Sequence, residues 1–146
     1  MARIVVADPD RYACETIALC LERHGHEIIR THTGAAAISA ISQRAPHLVM
    51  TEIMLPMRSG FDILGAVKSL GLFADVPVLF VTANSFEREI ERALTEGVVD
   101  YIVKPFHPRE LALRVNLALG RRAADRSQTA NAVPGLGHRA SLVIAA

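Results

Sequence analysis

The stretch 76-VPVLFVT-82 decides the fold class, because nearly every residue in this short run is apolar. A strand with one solvent-facing side alternates apolar and polar residues, whereas a strand covered on both faces does not. Pro77 fits near the beginning of such a strand, where a missing N–H is tolerated. The run therefore predicts a central strand of a parallel sheet that has helices on both faces.

Similar short runs lie on both sides of this strand and alternate with segments of helical period. The predicted strands are 3–7, 27–31, 48–51, 76–82 and 98–103, and the predicted helices are 10–23, 34–44, 60–70, 85–97 and 107–122. In the helical segments apolar residues recur at i, i+3, i+4 and i+7, which places them on one face. Strand–helix pairs of this kind predict an α/β fold, a parallel sheet with helices on both faces and right-handed crossovers.

Length and composition favour one domain followed by a tail. The chain has 146 residues, of which 51% are hydrophobic, so it can bury a sizeable core. We expect a domain over 1–122 and a linker-like tail over 123–146 with a short apolar end. Cys14 and Cys20 are six residues apart without a CxxC spacing, which favours reduced thiols in a cytoplasmic protein.

Charge and hydropathy indicate which partners to expect. The formal net charge is only +1, which gives no broad attraction to nucleic acid or to acidic membranes. No apolar run approaches the roughly 20 residues needed to span a bilayer. The segment after residue 122 lacks two helical periods, so it does not fit a helix-turn-helix. We therefore expect neither nucleic acid nor a membrane as a partner.

Polar and charged side chains follow several of the predicted strands. They are Asp8, Pro9 and Asp10 after the first strand, Glu52 after the third, Thr82 after the fourth and Lys104 after the fifth. Because the carboxyl ends of parallel strands share one edge of the sheet, we expect these residues to lie together. Acidic side chains there can hold Mg²⁺, and a lysine can pair with a carboxylate or a phosphoryl group. A buried carboxylate is costly without a partner, which predicts an ion pair between Glu52 and Lys104.

Several of these positions, together with Tyr101 in the fifth strand and Arg58 in the loop after the third, also have a plain structural interpretation. Asp8 can be the N-cap of the first helix, with Pro9 as its first residue and an acid in its first turn. Thr82 can cap the fourth helix, and Tyr101 can be an ordinary half-buried aromatic residue. Arg58 can be a solvated loop charge, or can reach the glutamate from the rim of the crevice.

Four segments together resemble the receiver domain of bacterial two-component response regulators. They are 3-RIVVADPD-10, 48-LVMTEIMLPMRSGFDIL-64, 76-VPVLFVTA-83 and 97-GVVDYIVKPFHPREL-111, and they match in order from about residue 3 to 122. The resemblance implies a flavodoxin-like (βα)5 doubly wound sheet with strand order 2-1-3-4-5. It also implies a signalling domain, not an enzyme, that accepts phosphate from a histidine kinase onto an aspartate, with Mg²⁺ held by neighbouring acids.

The resemblance assigns roles to residues at the strand ends. Thr82 matches the switch hydroxyl, Tyr101 the switch aromatic, and Lys104 the lysine that contacts the phosphoryl group. Asp8 matches the first of two paired acids, but Pro9 stands where the second is expected, with Asp10 one residue farther on. Glu52 stands where the phosphorylated aspartate is expected.

These two departures predict an atypical pseudo-receiver. Glu52 carries its carboxylate one methylene farther out, and Pro9 removes a metal-binding acid, whereas phosphoryl transfer depends on positioning and on metal charge. We expect no phosphorylation at the usual position, no cofactor or only weakly bound Mg²⁺, and action through protein–protein interaction. The longer carboxylate can also imitate a phosphorylated aspartate in part, with about one negative charge instead of nearly two.

Two alternatives remain open. The first is a phosphorylatable single-domain response regulator that shuttles phosphate. The second is a flavodoxin-like protein that binds a small molecule and shares only the sheet. The sequence has no glycine-rich loop of the kind that cradles phosphates, which counts against the second alternative.

The last segments also resemble a subfamily that forms dimers through its fourth helix, fifth strand and fifth helix. Asp100 and Arg114 stand where that subfamily forms an ion pair between subunits. Glu110 lacks its basic partner on the fourth helix, where Ile90 stands instead. We therefore expect a histidine kinase or another signalling protein as partner, and a possible homodimer through this face.

Overall fold

A computed structural model describes residues 1–71 and 75–131 and contains one parallel sheet in those ranges. Its strands are β1 (Arg3–Ala7), β2 (Glu27–Thr31), β3 (Leu48–Thr51), β4 (Val78–Thr82) and β5 (Asp100–Val103). They lie in the order β2-β1-β3-β4-β5, and every pair of neighbours is parallel. The predicted fold class and strand order are confirmed.

Helices cover both faces of this sheet. They are α1 (Arg11–Glu22), α2 (Gly34–Arg44), α3 (Gly60–Ser69), α4 (Glu87–Glu96) and α5 (Pro108–Asn131). One core cluster joins alternate strand residues to α1 and α5, and the other joins the remaining strand residues to α2, α3 and α4. All five residues of β4 are buried, as its apolar sequence predicts.

Most of the differing boundaries lie one or two residues from the predicted ones, whereas the end of α5 lies nine residues farther along the chain (131 − 122). β4 begins at Val78 because Pro77 has no N–H, although its carbonyl accepts a bond of 3.0 Å from the amide of Val49. The helix α5 continues to Asn131, so the predicted end of this helix at residue 122 is wrong. Residues 123–131 contain no glycine or proline to end the helix, although their apolar period has stopped. The apolar end of the chain lies outside the described residues.

Both cysteines are free thiols, as expected. Cys14 is buried under β2, and burial raises the pKa of both thiols. Across the described ranges, no helix is long and apolar enough to cross a membrane.

Candidate functional site

Three charged side chains from different strand ends meet at the carboxyl edge of the sheet. The ammonium Nζ of Lys104 lies 2.7 Å from Oδ2 of Asp8 and 3.3 Å from Oε1 of Glu52. β1 and β3 are neighbours in the sheet, and the lysine chain reaches them from beyond β5. The predicted pair between Glu52 and Lys104 is confirmed. The shorter contact, however, is the one to Asp8, which the sequence analysis did not anticipate.

The backbone binds the other oxygen of each carboxylate. Oδ1 of Asp8 accepts a hydrogen bond of 2.9 Å from the amide of Asp10, and Oε2 of Glu52 accepts one of 2.6 Å from the amide of Ile53. All four carboxylate oxygens therefore have a donor. This pairing explains how the Asp8 side chain can be only 2% exposed and that of Glu52 only 14% exposed.

The lysine is held in its charged form. Burial alone lowers the pKa of Lys104, but hydrogen bonding and the negative charge of Asp8, followed by those of Glu52, outweigh burial and raise it. The crevice therefore contains a permanent positive charge between two carboxylates at neutral pH.

Asp10 caps the N-terminus of α1, whereas the Asp8 side chain lies in the crevice. Its Oδ1 accepts hydrogen bonds of 2.9 Å from the amide of Tyr12 and 3.3 Å from that of Ala13, which makes Asp10 the N-cap. The interpretation of Asp8 as N-cap is therefore wrong. Both acids fit the capping pattern, but Asp8 forms the ion pair with Lys104, so α1 begins at Arg11, two residues later than an Asp8 cap would place it.

Mg²⁺ needs several oxygen ligands in near-octahedral order. Pro9 offers no side-chain oxygen, Asp10 is engaged at the helix start, and the Lys104 ammonium contacts the two remaining carboxylates. Within the part of the chain that the structure describes, no three acidic, histidine or cysteine side chains are grouped to hold a metal ion. These residues do not fit a magnesium site.

Thr82 and Tyr101 are joined through Asn84 in the loop after β4. The hydroxyl of Tyr101 donates a hydrogen bond of 2.7 Å to the Asn84 carbonyl, and Oγ1 of Thr82 accepts one of 3.3 Å from the Asn84 amide. Burial, then the charges of Glu89 and Glu52, raises the pKa of Tyr101, which keeps its hydroxyl a donor. The N-cap position of α4 is Phe86, so the interpretation of Thr82 as a helix cap is wrong.

An aromatic row extends from Tyr101 toward α4. The ring centroid of Tyr101 lies 6.4 Å from that of Phe80. The Phe80 centroid in turn lies 5.0 Å from that of Phe61, in edge-to-face geometry. The Arg92 guanidinium lies 3.8 Å above the Phe61 centroid, a cation–π contact between α4 and α3. The loop held by Tyr101 and the exposed side of α4 are thus connected by direct contacts.

Two residues of this edge were missed from the sequence. His32 follows β2 directly, and its Nδ1 donates a bond of 3.0 Å to the carbonyl of Asp8. The rule that chemistry follows strand ends would have found it. Asn84 acts through its backbone, for which the side-chain pattern gives no signal.

The predicted interaction face contains an ion-pair network within one chain. Arg114 donates to both oxygens of Asp100 at 2.8 and 2.9 Å and to Glu110 at 3.1 Å. Ile90 is half-buried against the core and does not project as an isolated apolar contact. Arg58 is exposed in the loop after β3, and no hydrogen bond or ion pair joins it to Glu52 in the described structure.

The chain is similar to known proteins. The family described as the response regulator receiver domain matches residues 4–116. The chain is 34% identical over 133 residues to the phosphate regulon transcriptional regulatory protein PhoB of Pseudomonas aeruginosa, covering 91% of this chain and 58% of that protein. It is 35% identical over 121 residues to response regulator SaeR of Staphylococcus aureus, covering 83% and 52%. The chain thus spans about half the length of these relatives.

Solved structures agree with this match. A putative response regulator from Chloroflexus aurantiacus has a TM-score of 0.78 at 28% identity, over 82% of this chain and 98% of that one. NtrX from Brucella abortus has a TM-score of 0.84 at 27% identity, over 94% of this chain and 31% of that one. With the strand order and the family match in agreement, the chain belongs to the receiver-domain family of response regulators in two-component signalling.

Proposed function

We propose that this chain is a pseudo-receiver, a receiver domain that is not phosphorylated at the usual position and acts through protein–protein contacts. The observation that carries the proposal is the state of Glu52. One of its oxygens accepts from its neighbouring amide at 2.6 Å and the other faces Lys104 at 3.3 Å. A nucleophile engaged on both oxygens, and longer by one methylene than aspartate, is poorly placed for in-line attack on phosphorus.

The charge around Glu52 supports the same conclusion. Phosphoryl transfer needs a metal ion to neutralise the developing negative charge. Pro9 supplies no ligand, and Asp10 caps a helix. The family match favours signalling over the small-molecule alternative, since it includes the loops of the crevice as well as the sheet.

Intact-mass spectrometry separates this proposal from the phosphate-shuttle alternative. The full chain is incubated with acetyl phosphate and Mg²⁺, beside its Glu52→Gln variant and an aspartate-bearing receiver domain as positive control. We expect a phosphoryl adduct in the positive control alone. An adduct on the wild type that disappears in Glu52→Gln would refute the pseudo-receiver assignment.

Regulation without phosphate leaves the carboxylate itself as the signal. We propose that Glu52 sets the binding surface in one state, and that the partner is a histidine kinase or another signalling protein. Binding of that partner is compared among wild type, Glu52→Asp and Glu52→Gln. Equal affinity of all three would mean that the carboxylate sets nothing.

Exposed leucines on α4 and α5 favour a second copy as an additional partner. Leu94 on α4 and both Leu113 and Leu117 on α5 are each about half exposed or more, and the pair of Asp100 with Arg114 joins β5 to α5. Exposed ion pairs contribute only about 0–1 kcal/mol each, so apolar burial has to hold such a homodimer together.

Light scattering at increasing concentration tests the homodimer. The expected mass rises toward twice that of the monomer in the wild type but not in Leu113→Lys. Leu19→Lys, at an exposed position of α1, is the matched control and should behave as the wild type. Equal association of Leu113→Lys and wild type would exclude this face.

A further inference from the structure

The crevice at the carboxyl edge already contains a cation, and that cation belongs to the protein. Lys104 brings one positive charge between the two negative charges of Asp8 and Glu52. Its ammonium has three donors, and two of them point at these carboxylates. A divalent ion that bridged the same two carboxylates would have to occupy the space that the ammonium occupies.

The hydrogen bonds of the carboxylates leave little for a metal ion to gain. Each acid has one oxygen on a backbone amide and the other on Lys104. Binding Mg²⁺ therefore requires breaking a charge-assisted contact of 2.7 Å and partly dehydrating an ion that loses water reluctantly. Asp10, which also follows β1, caps α1 through hydrogen bonds from two backbone amides.

We propose that Lys104 is the resident counter-ion of this crevice and takes the place of the divalent cation, so that the site is indifferent to Mg²⁺ as long as the lysine is present. The inference rests on the proposed function, because it explains how the pocket is kept neutralised when no phosphoryl group is handled there. It also assigns Lys104 a role in the resting state, independent of any contact with phosphate.

This role has a consequence for a variant. Removing the ammonium in Lys104→Met leaves two adjacent carboxylates without a counter-charge, one of them almost fully buried. Two negative charges side by side are the arrangement that a hard divalent cation stabilises. The lysine variant should therefore acquire a dependence on Mg²⁺ that the wild type does not have.

Thermal unfolding with and without MgCl₂, at constant ionic strength, measures this dependence on the full chain. We expect no shift of Tm with Mg²⁺ in the wild type, a lower Tm in metal-free Lys104→Met, and a rise of that Tm on adding Mg²⁺. Arg58→Met is the matched control, because it removes one exposed positive charge from the loop after β3 and leaves both carboxylates and Lys104 in place. A folded Lys104→Met that does not respond to Mg²⁺, or an equal response of Arg58→Met, would overturn the inference.

A second measurement decides the matter should Lys104→Met fail to fold. The amides of Asp10 and Ile53 donate to the two carboxylates and so report on any paramagnetic ion bound there. Mn²⁺ added to the wild type should leave these two NMR signals as sharp as those of amides elsewhere in the chain, and selective broadening of both would refute the proposal. Such broadening without a phosphoryl adduct would overturn this inference alone, whereas an adduct that is lost in Glu52→Gln would overturn the proposed function.

Discussion

Gly60, the first residue of α3, packs directly behind the backbone of Glu52. A Cβ atom placed on Gly60 would lie 2.7 Å from the carbonyl oxygen of Glu52, 3.1 Å from Cα of Ile53 and 3.2 Å from Cε1 of Phe80. The first two of these atoms belong to the backbone. The Gly60 amide also donates a hydrogen bond of 2.7 Å to the Ile53 carbonyl, which fixes the start of α3 close to the site. Gly60→Ala should therefore push the end of β3 away from α3.

The size of the effect follows from what the methyl group meets. Backbone atoms cannot rotate away as a side chain can, and overpacking of a well-filled site costs about 1–3 kcal/mol. Gly65, in the same helix, has nothing within 4 Å of its would-be Cβ. There the higher helix propensity of alanine should stabilise the protein by about 0.5–1 kcal/mol. The same substitution in one helix is thus expected to have opposite signs at two positions.

Urea denaturation of wild type, Gly60→Ala and Gly65→Ala measures both free energies of unfolding. The NMR shift of the Ile53 amide adds a local readout, because this amide donates to Oε2 of Glu52. We expect it to move in Gly60→Ala and to stay in place in Gly65→Ala. Equal stabilisation by the two substitutions would show that the tight contact behind Glu52 does not constrain the site, and the reasoning would be wrong.

Two further predictions concern hydrogen bonds at opposite edges of the sheet. Tyr101→Phe removes the hydrogen bond to the Asn84 carbonyl and should lower the free energy of unfolding, measured by urea denaturation, by about 0.5–1.5 kcal/mol. Tyr12→Phe, at an exposed position, should stay within about 0.5 kcal/mol of wild type. Equal losses in the two variants would contradict the assigned bond. Burial and then the positive N-terminus lower the pKa of His26, whose Nδ1 accepts from the Ala2 amide at 3.1 Å. Because the pKa of His26 is lower in the folded protein, its contribution to stability is fully present above the ordinary pKa of about 6.5 and is lost as pH falls through the folded pKa. The free energy of unfolding should therefore fall less between about pH 7.5 and about pH 5 in His26→Gln than in wild type.

The strands and the location of the site could be predicted because they depend on short-range rules. Runs of buried residues give the strands, and parallel order brings Asp8, Glu52 and Lys104 to one edge whatever the details of packing. Opposite charges at low exposure then have to pair. These inferences need only residue types and strand direction, so the errors in the helix boundaries did not affect them.

The contacts that sequence could not supply depend on competition between equivalent groups. Asp8 and Asp10 both fit an N-cap, and the choice was made by a lysine that lies 96 residues from Asp8 in sequence. Asn84 joins Thr82 to Tyr101 through its backbone, which is the same in every residue. The extension of α5 was missed because the helices were predicted from their apolar period, and residues 123–131 have none.

The glutamate at position 52 and the proline at position 9 act on the same charge balance. Pro9 removes one acid from the crevice, which leaves two carboxylates for one ammonium. Lys104 lies closer to Asp8 than to Glu52, so the glutamate is the carboxylate whose charge is less fully neutralised, and it is also the more exposed of the two. A glutamate can hold this charge toward the mouth of the crevice while its second oxygen remains on the Ile53 amide. The residual negative charge of the site therefore lies on Glu52, and under the proposed function this is the charge that a binding partner would sense.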